Sequence, residues 1–215
     1  MYHIILSGTG PRYVSFIGSI TYLFEKIENL NETQYANTDL KSFKYYKNIK
    51  TLCGSSGGSL IAMGLSIGYT MKDMKNIGIK LGFNDVNDLD ITEFIWNYGI
   101  DSGLKYENML KALVKFKYGN SNLTFKKLYE FTGIKLVINA ISLNKYEMHY
   151  FDYINTPDLE LWKAVRMSSS VPFLFKPFKY NNNIYVDGAL GDFFPIHMIK
   201  SQINNDNDKI IGIRL

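Results

Sequence analysis

The stretch GSSGG, Gly54 to Gly58, places Ser56 between two glycines in the order G-x-S-x-G. That spacing suits a strand-to-helix elbow in which the serine takes a strained backbone conformation and the flanking glycines keep other side chains away. A hydroxyl at such a point stands at a helix N-terminus, where free N–H groups and the positive end of the dipole favour developing negative charge. The chemistry implied is nucleophilic acyl transfer, which also needs N–H donors for an oxyanion and a base for the hydroxyl proton. SGTGPR, Ser7 to Arg12, offers the amides of Gly8, Thr9 and Gly10 as donors, and Asp187, at the end of the apolar run Ile184 to Val186 and before Gly188, offers the base. Plainer readings fit the same residues. An isolated G-x-S-x-G is also an ordinary turn between strand and helix, and Asp-Gly is a common hairpin turn. A dinucleotide-binding turn at Ser7 to Arg12 fits poorly, because it needs a third glycine where Tyr13 stands and an acidic residue where Leu52 and Cys53 stand.

Three histidines compete for the role of base. His3 and His149 fall within predicted strands and read as packed or half-exposed rings. His197 follows Asp187, so Ser56, Asp187 and His197 satisfy the Ser, Asp, His order of an α/β-hydrolase triad, although no strand fits between the last two.

The elements that must position these groups alternate. Tyr2 to Leu6 reads as a strand, and Pro11 suits a first helical turn. Val14, Ile17, Ile20, Phe24 and Ile27 then recur at helical spacing to about Leu30. The polar stretch Asn31 to Asn48 is expected on the surface. Ile49 to Cys53 is a second strand, with a helix from about Ser59, so strand, glycine loop and helix occur twice. Helices are expected over Met71 to Leu81, over Lys105 to Tyr118 with Gly119 as its stop, and from Thr124 as N-cap to Thr132 with Gly133 after it. Strands are expected over Ile134 to Ile141, Tyr146 to Tyr153, Asn183 to Val186 and Lys209 to Arg214, with a helix opened by Thr156 and Pro157 and running through Met167. The pattern predicts one α/β domain over residues 1–215 with a mainly parallel sheet. Its last apolar strand would be covered better if the natural chain continued past Leu215.

Composition excludes little. At 46% hydrophobic and 20% charged the chain reads as globular, and a formal charge of +4 with scattered lysines points to no nucleic acid while suiting an anionic surface. The single cysteine, Cys53, cannot form an internal disulfide, is expected as a buried small hydrophobe, and suits a reducing compartment. No signal peptide or spanning segment is visible, so a cytoplasmic location is expected. No cluster of Asp, His or Cys has metal-ligand spacing, and no cofactor is expected.

Four stretches, in order, resemble the patatin-like phospholipases, serine lipid acyl hydrolases with a Ser-Asp dyad. SGTGPR is similar to their glycine-rich oxyanion loop, and GSSGG to their nucleophile elbow. The segment from Thr156 through AVRMSSSVPFLFKP to Pro177 resembles the stretch ahead of the catalytic aspartate, and YVDGALGDFFP, Tyr185 to Pro195, resembles the DG[GA] motif with its following proline. The resemblance implies a three-layer α/β/α fold, Ser56 as nucleophile, Asp187 as base, and Gly8, Thr9 and Gly10 as the oxyanion loop with Arg12 at its end. Gly54, Gly58 and Gly188 support the motifs. It implies phospholipase A-type cleavage of fatty acyl esters through an acyl-enzyme, with no histidine. Two residues depart from the family loop GGGxRG: Thr9 replaces the central glycine and Tyr13 the last. If Thr9 needs a positive φ, the loop is strained.

The substrate would arrive from a membrane or micelle. Lysine and aromatic residues interleave in FKYYK at Phe43 to Lys47, KFKY at Lys115 to Tyr118 and FKPFKY at Phe175 to Tyr180, a composition suited to peripheral contact with anionic headgroups, though for any single segment a solvated face with lysine stems lying along it is the better explanation. Two other functions fit the residues: a non-catalytic lipid or acyl-chain binder with an impaired Ser7 to Tyr13 loop, and an esterase that uses His197.

Overall fold

The structure, a computed structural model, describes residues 1–28, 48–80, 83–90, 92, 98–200, 203 and 207–215. All of the surface excursion except Asn48, and with it FKYYK, lies outside these residues. Nine strands are described: β1 (Tyr2–Leu6), β2 (Ile49–Gly54), β3 (Gly99–Asp101), β4 (Lys135–Ser142), β5 (Glu147–Phe151), β6 (Phe173–Phe175), β7 (Phe178–Tyr180), β8 (Asn183–Asp187) and β9 (Lys209–Ile213). The helices are α1 (Val14–Glu28), α2 (Gly57–Ser66), α3 (Met71–Lys80), α4 (Phe83–Val86), α5 (Leu104–Tyr118), α6 (Phe125–Thr132), α7 (Leu161–Ser168) and α8 (His197–Lys200).

The main sheet runs β7-β8-β4-β2-β1-β9, with β5 also paired to β4. Strands β4, β2, β1 and β9 are mutually parallel, while β8 and β5 are antiparallel to β4, and β7 is antiparallel to β8. Side chains alternate between the two faces. Ile4 and Leu6 join the large core beneath α1, α2, α3, α5, α6 and α7, whereas Ile5, Cys53 and Val137 join a smaller one beneath α8 and the segment leading to it. The fold is the expected mixed α/β domain with a mostly parallel sheet and helices on both sides, and Cys53 is the buried small hydrophobe it was expected to be.

Local chemistry accounts for the ends of these elements. Helix α5 stops at Gly119 with φ 77° and α6 at Gly133 with φ 69°, both left-handed caps, and Thr124 Oγ1 accepts from the Lys127 N–H at 3.4 Å at the start of α6. Two expectations need correction. In α1 Ile17 and Ile20 are buried as expected and Phe16 is buried with them, whereas Val14 is exposed; the side chains of Phe24 and Ile27 lie outside the description. Helix α7 starts at Leu161, well after Pro157. Asp152 Oδ1 accepts from the amides of Ile154 and Asn155 at 2.9 and 2.7 Å and winds that stretch into turns, and Glu160 is pinned by an isolated bridge to Thr124.

Candidate active site

Ser56 stands between β2 and α2, at the N-cap position, with φ 49° and ψ −124°. A positive φ is costly for a residue with a side chain, and here it turns the hydroxyl out of the strand and over the sheet. The close backbone crossing explains the flanking glycines. A Cβ on Gly58 would lie 2.5 Å from the Ser7 carbonyl oxygen and 2.7 Å from that of Leu6, and a Cβ on Gly54 would strike the backbone of Gly58 and Ser59.

The Ser56 hydroxyl donates to Asp187 Oδ2 at 2.6 Å. These side chains, 131 positions apart, meet because of the register of the sheet. Gly54 of β2 lies opposite Ile138 of β4, and two residues further along the same edge of β4 Asp187 lies opposite Ala140, while β5 takes the other edge. Strand β8 runs antiparallel to β4, so its last residue arrives at the level that the elbow reaches just beyond β2. Asp187 therefore does not cap a parallel strand; it comes in from beyond the rim.

The carboxyl is buried, and its other oxygen, Oδ1, accepts from the Ala189 amide at 2.8 Å. Burial raises its pKa from 3.8 to about 6, and the hydrogen bonds from Ser56 and Ala189 oppose that rise. Gly188 follows because a Cβ there would collide with the Asn139 backbone and, at 2.5 Å, with its side-chain oxygen.

The two glycine loops abut. Strands β1 and β2 are neighbours, so the loop after each emerges at the same edge, and a Cβ on Gly57 would lie 2.7 Å from Thr9 Oγ1 and 2.8 Å from the Gly10 carbonyl oxygen. Thr9 adopts φ −147°; the positive φ of the loop, 55°, falls on Gly10, so the threonine carries none of the left-handed strain its position suggested. The Gly8 amide is engaged, donating to the Phe193 carbonyl at 3.0 Å, while no described residue accepts from the amides of Thr9, Gly10 or Gly57. A Cβ on Gly8 would lie 2.6 Å from the Ala189 Cβ and 3.1 Å from the Phe193 ring, so the position has no room for a side chain. The Arg12 side chain is exposed and makes no ion pair among the described residues.

His197 is not at the site. It is exposed, its Nδ1 lies 3.5 Å from Asp192 Oδ2, and its ring meets Tyr150 edge-on. His3 is buried with Nδ1 3.0 Å from Thr51 Oγ1, and the His149 nitrogens pair with Tyr185 and Glu147.

The residues around the pair that the sequence analysis leaves without a role are three consecutive serines, Ser168 to Ser170, that end α7 and follow it. Ser168 Oγ accepts from the Ser56 N–H at 2.9 Å, Ser169 Oγ lies 3.5 Å from the Ser56 carbonyl oxygen, and the Ser170 carbonyl accepts from the Asp187 N–H at 2.9 Å. The model of the family described as patatin-like phospholipase matches residues 4–199.

The chain belongs to the patatin-like phospholipase family. Among curated relatives, a protein of invertebrate iridescent virus 6 named probable lipid hydrolase 463L is 29% identical over 96% of this chain and 66% of its own length. The uncharacterized protein R571 of Acanthamoeba polyphaga mimivirus is 28% identical over 98% of this chain and 64% of its own. Triacylglycerol lipase ptl2 of Schizosaccharomyces pombe is 25% identical over 71% of this chain and 26% of its own. This patatin-like chain therefore spans about two thirds or less of those relatives. Its fold is shared with VipD from Legionella pneumophila, at a TM-score of 0.68 and 16% identity over 98% of this chain and 49% of that one.

Proposed function

We propose that this chain is a lipid acyl hydrolase of the phospholipase A type, cleaving fatty acyl esters through a Ser56-Asp187 dyad. Ser56 Oγ attacks the ester carbonyl while Asp187 Oδ2 takes its proton, and the amides of Thr9 and Gly10 receive the oxyanion. As the tetrahedral intermediate collapses, Asp187 passes that proton to the departing alcohol and leaves an acyl-enzyme. Water then gives a proton to Asp187 and attacks the acyl carbon, and Ser56 recovers its proton as the fatty acid leaves.

The observation that carries this reading is the 2.6 Å hydrogen bond between the Ser56 hydroxyl and a buried carboxyl whose pKa rises to about 6. An ordinary aspartate is too weak a base for a hydroxyl, and shelter moves it toward working pH. Family membership and the names of two relatives, a probable lipid hydrolase and a triacylglycerol lipase, support the lipid class of substrate.

A groove of about 720 Å³ lies between α3 and α5 and offers apolar surface for an acyl chain on Tyr69, Ile77, Met109, Leu113 and Phe116. A small cavity of about 30 Å³ shares the first four of these and reaches Tyr13, whose Cβ would be 3.2 Å from a Cβ on Gly57, beside the elbow.

Hydrolysis of a fluorogenic fatty acyl ester tests the reading. Ser56→Ala and Asp187→Asn each lower kcat by at least ~10³-fold, while His197→Ala leaves it unchanged. Full activity in either dyad variant would falsify the proposal.

A further inference from the structure

We propose that Arg166 is a positioning residue for the Ser56-Asp187 pair: its buried guanidinium fixes the serine run Ser168 to Ser170, and that run sets the separation of the two reacting side chains. The inference rests on the dyad reading above.

Arg166, on α7, is 1% exposed and is the bulkiest of the fully buried side chains. A buried cation is tolerated only where its charge and donors are met, and arginine's planar fork suits several fixed acceptors at once. Nη1 donates to Ser170 Oγ at 2.7 Å, and Nη2 donates to the carbonyls of Lys176 at 3.0 Å and Ser102 at 3.3 Å. Nε makes no hydrogen bond among the described residues, but its charge is met by Glu107 Oε1 at 3.4 Å, and the group sits over the rings of Phe175 and Phe178 at 5.2 and 5.7 Å. One guanidinium thus ties the end of α7 to α5, to the loop before α5 and to the link between β6 and β7.

None of these contacts touches Ser56 or Asp187; the connection runs through the serines. The Ser170 hydroxyl, held by Arg166 Nη1, donates back to the Arg166 carbonyl at 2.8 Å, and the Ser170 carbonyl takes the Asp187 N–H. Ser168 holds the Ser56 N–H. Ser169 reaches toward the Ser56 carbonyl and itself receives the Tyr106 hydroxyl at 3.2 Å. Both reacting residues therefore hang by their main chains from one three-residue ledge, and the guanidinium is the fixture at its root.

Displacing a reacting group by about 1 Å costs roughly 10²-fold in rate. Arg166 is not among the groups that shift Asp187, whose altered proton affinity comes from burial. Its role is geometric, so its loss lowers kcat without moving the pH at which Asp187 titrates.

Steady-state kinetics of the full chain on a fluorogenic acyl ester, measured well below each variant's melting transition, test this. Arg166→Met lowers kcat about 10²-fold, with KM within about twofold of wild type and an unmoved acid limb. Arg166→Lys recovers part of that loss, and Ser170→Ala, which removes one oxygen, lowers kcat about tenfold. Combining Arg166→Met with Ser170→Ala costs little more than Arg166→Met alone, as expected for members of one network. Should Arg166→Met fail to fold, Ser170→Ala decides. A folded Ser170→Ala protein with wild-type kcat, or variants that lose melting temperature alone, overturn the proposal. Ser56→Ala and Asp187→Asn run alongside: hydrolysis by either sinks the dyad reading, whereas two dead dyad variants beside fully active Arg166 and Ser170 variants sink only this one.

Discussion

In the proposed mechanism the carboxyl of Asp187 accepts a proton at one step and releases it at the next, and its buried environment is suited to that exchange. Activity needs the ionised form, so kcat rises with pH through a single titration with its midpoint near 6, and a pH-rate profile checks this. A plateau extending down to pH 4 contradicts a sheltered base. The same shift affects stability. The folded pKa lies above the ordinary 3.8, so the folded state binds this proton more tightly than the unfolded chain. The stabilisation this confers is complete below about pH 4 and is lost as pH rises toward 6, a change of about 2–3 kcal/mol. Asparagine can keep both contacts, with Oδ1 accepting from Ala189 and its amide donating to the Ser56 oxygen. Asp187→Asn is therefore more stable than wild type at pH 8 and no more stable at pH 4, which denaturant titration at the two pH values reads directly. The candidates Ser56 and Asp187 were legible in the sequence from the glycines around one and the apolar run ending in Asp-Gly at the other, whereas the Gly8 amide, expected as a donor to substrate, is engaged by Phe193. The serines at 168 to 170 were not legible, since a Ser-Ser-Ser run at the end of a helix carries no mark of which backbone groups it will meet.

Helices and strands bring these groups together by register. The two glycine loops share one edge because β1 pairs with β2. The loops differ in the kind of tolerance they show. Gly58→Ala pushes a Cβ into main-chain atoms of Leu6 and Ser7 and destabilises by roughly 1–3 kcal/mol. Gly10→Ala meets open space, but its φ of 55° costs on the order of 1 kcal/mol and shifts the donor loop. Thermal melts therefore rank Gly58→Ala as the less stable variant, while Gly10→Ala loses kcat out of proportion to its stability. The hairpin between β7 and β8 escaped the sequence reading, although Asn181 and Asn182, with φ 45° and 61°, form the paired left-handed turn that consecutive asparagines favour. The Thr156-Pro157 pair was read as a helix start because its residues fit one; the competing carboxylate of Asp152 was the deciding neighbour.

At the scale of the whole molecule, the proposed function requires a lipid to reach the buried pair. No helix among the described residues is long and apolar enough to cross a membrane. The aromatic-lysine segments divide on folding. In FKPFKY the rings of Phe175 and Phe178 pack against Arg166, leaving Lys176 and Lys179 exposed, whereas in KFKY Phe116 is 80% exposed beside the exposed Lys115. An exposed ring that lines the apolar groove, with Lys115 and Lys117 beside it in sequence, fits an anionic lipid surface. Co-sedimentation with vesicles is thus expected to rise with anionic lipid content and fall with salt, with each lysine lost costing about 1 kcal/mol; binding indifferent to both contradicts this. Sequence alone could not sort these segments, since burial of one ring and exposure of another depend on distant partners. Covalent capture tests the central pairing most directly. Wild-type protein is treated with a fluorophosphonate probe, and the modified peptide is located by mass spectrometry in parallel with Asp187→Asn. Phosphonylation of Ser56 in the wild type, slowing below pH 6 and lost in Asp187→Asn, is the expected result; a label on another residue, or equal labelling of Ser56 in both proteins, contradicts the Ser56-Asp187 mechanism.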